Sequence, residues 1–162
     1  MEKLNDMAIF PADIYLAPTE LLPTILNEIQ DETKAQCDYY KKTGKHEEAK
    51  RLEERVNYDL EMIRELGYCS GIENYFRFFD RRKAGDRPFC LLDYFPDDLL
   101  LIVDESHVTI PQVSAMYGGD RSRKINLVEY GFRLPSAMDN RPLNFHEFEQ
   151  VIGQTIFVSA TP

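Results

Sequence analysis

Asp104, Glu105, Ser106 and His107 follow directly on the apolar run Leu99 to Val103. Such a run reads as a strand buried on both faces, as in parallel sheets. Ligands of parallel sheets gather beyond the carboxyl ends of the strands. There one carboxylate can hold Mg2+, and a second can polarise a water for in-line attack on a γ-phosphate. Asp104 suits the first role and Glu105 the second, with His107 at the lip of the site. A second apolar run, Thr155 to Val158, ends in Ser159, Ala160 and Thr161. If the two strands are neighbours, the hydroxyls of Ser159 and Thr161 reach towards His107 or Asp104 and link the site to a moving element. Each half also has a plain reading, since any strand can end in two acids and Ser-Ala-Thr alone is a turn. The combination is what carries weight.

Other chemistries fail by spacing. His146-Glu147 lacks the second histidine of a zinc HExxH motif, and His46, His107 and His146 are far apart in sequence. Gly44-Lys45 resembles the tail of a phosphate loop, but the glycine required five residues earlier is Tyr39 and the next residue is His46. Cys37, Cys69 and Cys90 form no CxxC pair, which favours reduced thiols and a cytoplasmic location. The first residues show no export signal, and no apolar run approaches the roughly 20 residues a bilayer helix needs, so no membrane partner is expected.

With 162 residues, 43% of them apolar, a single core is expected. A net charge of −9 argues against binding nucleic acid by overall charge. Two local stretches are basic, Arg77 to Arg87 and Arg121 to Arg133, and Phe76, Phe78, Phe79 and Phe132 stand near them. They could track a phosphate backbone with aromatic stacking, but solvated arginines and core phenylalanines are the simpler expectation for most of them.

The elements that would position the acid pair follow from periodicity. Residues 1–18 read as an extended segment because of their prolines. Leu22, Ile25, Leu26, Ile29, Cys37 and Tyr40 predict a helix over 19–43 capped by Thr19. After Gly44, Ala49, Leu52, Val56, Leu60 and Ile63 predict a second helix to residue 66, giving a hairpin with an acidic outer face. A third amphipathic segment spans 72–82, and helix-compatible stretches near 110–116, 121–130 and 145–152 lie between the two strands. The second half therefore reads as α/β.

Several strings resemble the UvrB family, the B component of the bacterial ABC excinuclease: Tyr68 to Tyr75, Leu91 to Asp98, Asp104 to Gln112, Tyr130 to Ala137 and Val158 to Pro162, together with Arg55 and Tyr58 to Met62 of the hairpin. The resemblance covers nearly the whole chain. It implies part of a RecA-like P-loop NTPase motor domain of the superfamily-two helicase class, mostly helical, with a long helical hairpin and a few parallel strands. Residues 67–111 would be a motor segment carrying motif II, 112–143 a small inserted subdomain, and 144–162 a helix and the motif III strand. Asp104 to His107 would be motif II and Ser159 to Thr161 motif III. Arg55, Glu73, Phe132 and Arg133 would be DNA-path or domain contacts. The implied function is verification of damaged DNA, received from UvrA, with ATP and Mg2+, followed by recruitment of UvrC. This sequence contains no phosphate loop, so alone it is expected to bind neither ATP nor Mg2+ and to have no measurable ATPase. Its uncovered strand edges favour self-association. Two competing readings are another superfamily-two translocase, such as the transcription-repair coupling factor, and a non-catalytic interaction module built on the hairpin.

Overall fold

Two helices, α1 (Leu22–Lys42) and α2 (His46–Leu66), pack antiparallel along their apolar stripes. The computed structural model describes residues 20–160, so segment 1–18, the Thr19 cap and Thr161 lie outside the described residues. Ile25, Leu26, Ile29, Cys37 and Tyr40 of α1 are buried against Ala49, Leu52, Val56, Leu60 and Ile63 of α2, and Leu22 is half-buried. Gly67 ends α2 in the left-handed region at φ 73°, and its N–H donates to the Ile63 carbonyl at 3.0 Å.

The third amphipathic segment is not one helix. A 3-10 turn over Ile72–Tyr75 leads into the single-turn helix α3 (Phe76–Phe79), and Arg81 then turns left-handed at φ 56°. The physical reason is the spacing of the buried residues. Ile72, Tyr75 and Phe78 recur every third residue, which suits three residues per turn. All three join the hairpin core together with Cys69 and Leu134.

Strands β1 (Leu100–Val103) and β2 (Gln154–Phe157) pair in parallel, with Leu100 opposite Gln154 and Val103 opposite Phe157. The expectation of a strand buried on both faces is corrected here. Val103 is the one buried residue of the two strands, while Leu100 is 50% and Ile102 60% exposed. An apolar run demands cover, and nothing in the described chain lies over these residues. At about 1.5–3 kcal/mol per fully buried large apolar side chain, the hairpin stripe far outweighs the sheet in stabilising the chain. Among the described residues the fold is mostly helical, with five α-helices and this two-stranded sheet, and no helix is long and apolar enough to cross a membrane.

The stretches 110–116 and 121–130 form one continuous helix, α4 (Ser106–Glu129). Pro111 forfeits one helical hydrogen bond early in α4. Gly118 and Gly119, between those two stretches, sit in ordinary helical conformation with nothing within 4 Å of where a Cβ would stand. Replacing both by alanine is therefore expected to stabilise the chain by about 1–2 kcal/mol, read as a higher urea midpoint. α5 (Phe145–Val151) begins in a capping box of Asn144 and Glu147.

The hairpin caps the far end of α4. The Tyr40 hydroxyl donates to the Val128 carbonyl, which also accepts the Gly131 N–H, while Lys45 donates to Glu129 O at 3.4 Å and Arg51 to Tyr130 O, so the last carbonyls of α4 find partners. The basic stretch 77–87 is also explained. Arg77 pairs with Asp139 at 2.7 Å and with Glu32 at 3.6 Å, Arg81 with Glu28, Arg82 with Asp80, and Arg87 with Asp93. Arg77 and Arg82 are largely buried, while Arg81 and Arg87 hold their carboxylates at the surface.

Candidate active site and basic cleft

The acid pair lies where β1 turns into α4. Val158 N donates to Val103 O at 2.9 Å and Ser106 N to Val158 O at 2.8 Å, so the end of β2 is bonded to both sides of the turn. Asp104 Oδ1 accepts the Glu105 N–H at 2.8 Å, which folds that carboxylate back on its own backbone. Glu105 adopts φ 47° and ψ 45°, a left-handed conformation that disfavours any side chain. Both acids are exposed. His107 Nδ1 lies 3.0 Å from Ser159 Oγ and 3.4 Å from Glu105 Oε2. Asp104, Glu105, His107 and Ser159 thus share one edge of the sheet, formed by the carboxyl ends of two adjacent parallel strands.

The donor set suits a hard cation delivered with a phosphate. Magnesium takes one or two carboxylates, keeps several waters and fills its shell with phosphate oxygens, and the turn offers two neighbouring exposed carboxylates.

A second cluster surrounds the place where the 72–75 turn faces α4 and the residues that follow it. Glu73 and Arg133 face a cleft of about 300 Å³, lined also by Asn74, Arg123, Lys124 and Arg141. Arg141 holds Glu147 in a bidentate pair at 2.7 and 2.8 Å, which keeps that carboxyl below its usual range. Burial opposes ionisation of Asp120, but hydrogen bonds from Lys124 and Arg123 prevail and hold it low. The guanidinium of Arg133 donates to the neighbouring Phe132 carbonyl at 2.9 Å.

Arg55 donates to Asp59 at 3.0 Å and to the Ser70 carbonyl at 2.8 Å, and the Tyr75 hydroxyl donates to the same buried Asp59 oxygen at 2.8 Å. Burial and the Asp59 charge push the Cys69 thiol up to about 12, and Arg55, Glu73 and Arg133 all lie close enough to influence it. That thiol is fully buried, and it marks where these three charged residues converge. Phe132 remains 46% exposed, with the Arg51 guanidinium 4.5 Å above its ring. Arg55, Glu73 and Arg133 therefore gather around Cys69, whereas Phe132 lies against Arg51, one turn nearer the start of α2.

The UvrB third helical domain family matches residues 20–81. UvrABC system protein B of Bacteroides thetaiotaomicron is 64% identical over 154 residues, which is 95% of this chain and 23% of that protein. The Cytophaga hutchinsonii protein of the same name is 60% identical over 158 residues (98% and 24%), and that of Leptospira biflexa 57% over 161 residues (99% and 24%). The chain belongs to the UvrB family. It spans about a quarter of the length of these curated relatives. The matched helical domain comprises the hairpin and the turns through Arg81, so the acid turn of β1 lies outside that match.

Some side chains that shape the two clusters left no signal in the sequence. Asp59 and Tyr75 meet only because α2 and the 72–75 turn pack together, and Arg51 reaches Phe132 across 81 positions. Arg123 and Lys124 were at least visible as part of the basic stretch 121–133.

Proposed function

We propose that this chain is part of a helicase-like ATPase of bacterial nucleotide excision repair, acting on damaged DNA with UvrA and UvrC. The 57–64% identity to proteins named for the UvrABC system supports the repair assignment. The observation that carries the ATPase assignment is the 3.0 Å contact between Ser159 and His107, which joins the ends of two parallel strands beside a pair of adjacent carboxylates. The exposed apolar residues of β1 and β2 then find cover from neighbouring strands of a RecA-like motor domain elsewhere in the complete protein.

In this reading Asp104 would hold Mg2+, which, when bound, offsets the charge of the nucleotide phosphates. Glu105, held in its left-handed turn, orients a water and receives its proton. His107 carries the state of that turn to Ser159 and so to β2. The cleft of Glu73, Arg123 and Arg133, with Arg55 beside it, takes the nucleic-acid backbone, and Phe132 offers a stacking face.

The test is Asp104→Asn in the complete protein. The Mg2+ concentration for half-maximal ATP hydrolysis is expected to rise at least about tenfold, because one charged oxygen ligand becomes a neutral amide. An unchanged Mg2+ requirement overturns the reading.

A further inference from the structure

Glu105 occupies a backbone conformation that persists only when its surroundings hold it. One residue grips both members of the acid pair. Thr109 N donates to the Glu105 carbonyl at 3.0 Å, and Thr109 Oγ1 donates to the Asp104 carbonyl at 3.1 Å. The first bond belongs to α4 and would form with almost any residue at this position. The second is a side-chain bond that reaches back past the start of the helix to the strand side of the turn. Asp104 is thereby fixed at its carbonyl by Thr109 and at its carboxylate by the Glu105 N–H. Thr109 is half-buried and far from the basic cleft, so its hydroxyl has a place in the acid turn and not in the DNA path.

We propose that Thr109 is a positioning residue for ATP hydrolysis: its hydroxyl locks the Asp104 carbonyl so that the Asp104 and Glu105 carboxylates keep a fixed separation and aim. The proposal deepens the ATPase reading and rests on it. Small losses of aim are expensive in phosphoryl transfer, because positioning supplies much of the rate.

Thr109→Val preserves the branched shape and the N–H while deleting the hydroxyl. In the complete protein with DNA it is expected to lower kcat for ATP hydrolysis about tenfold, with KM for ATP within about twofold of the parent. Thr109→Ser, which keeps the hydroxyl, is expected to retain most of the parental kcat. Thr109→Ala serves as the second hydroxyl-free variant should valine disturb folding, and the same kcat loss is expected. Parental kcat in the valine or alanine protein overturns the proposal. So does a serine variant as impaired as valine, because shape rather than the hydroxyl would then matter. Asp104→Asn measured alongside separates the two levels. An unaltered Mg2+ requirement there removes the ATPase reading itself, whereas an altered requirement with a fully active Thr109→Val removes only the role of Thr109.

Discussion

Glu105→Gln in the complete protein is expected to lower DNA-dependent ATP hydrolysis by about a hundredfold or more, with the fold and nucleotide binding retained. The amide matches the carboxylate in size and can still accept a hydrogen bond, so packing at this exposed turn is not disturbed. What it cannot do is receive a proton or attract one through negative charge. In the proposed function that task falls to Glu105. It follows Asp104 by one residue in a left-handed backbone conformation, and its carboxylate approaches His107 at 3.4 Å. A structural role would be felt in thermal stability and leave turnover nearly intact. A single-turnover measurement at saturating ATP separates the two, and hydrolysis within a few-fold of the parent would remove Glu105 from the chemistry.

How much of this arrangement was legible in the sequence depends on the range of the interactions. The hairpin was readable because its buried residues repeat at helical spacing and Gly44 interrupts them, both of which are local signals. The approach of Ser159 to His107 was readable conditionally. It required β1 and β2 to be neighbours, and the parallel register with Val103 opposite Phe157 meets that condition.

Long-range pairing was not readable. Arg77 and Arg81 looked like part of a basic patch because the carboxylates of Glu32, Asp139 and Glu28 that pair with them lie more than forty positions away in sequence. Nor could the local sequence reveal that Pro111, Gly118 and Gly119 would be absorbed into one helix. The glycines disfavour helix by about 1 kcal/mol each and the proline by about 3 kcal/mol, while the anchoring of the Val128 to Tyr130 carbonyls by Tyr40, Lys45 and Arg51 favours completing it.

That anchoring gives the chain a mechanical layout. α4 is about 36 Å long at 1.5 Å per residue, with the acid turn at one end and the hairpin with Phe132 and Arg133 just beyond the other. α4 thus joins the acid turn to residues beside the basic cleft as one continuous helix whose far end is fixed to the hairpin.

Gly131 is where that fixation is tightest, and Gly131→Ala is expected to destabilise the chain by about 2–5 kcal/mol, combining left-handed strain with overpacking against an unyielding neighbour. The residue sits at φ 69°, and an added Cβ would collide with the Glu48 carbonyl oxygen and lie 2.8 Å from the Glu48 Cα. Those are main-chain atoms of α2, which cannot rotate aside as a side-chain tip would. The end of α4 would have to retreat, weakening the bonds that Tyr40, Lys45 and Arg51 make to its carbonyls. Gly67→Ala is the control, since Gly67 has a similar φ of 73° but nothing within 4 Å of its added Cβ. There only the conformational strain of about 1 kcal/mol applies. Urea unfolding followed by circular dichroism compares the two. Equal losses at Gly131 and Gly67 would show that the close approach to Glu48 contributes nothing, and with it would go the argument that α4 is pinned to the hairpin at this point.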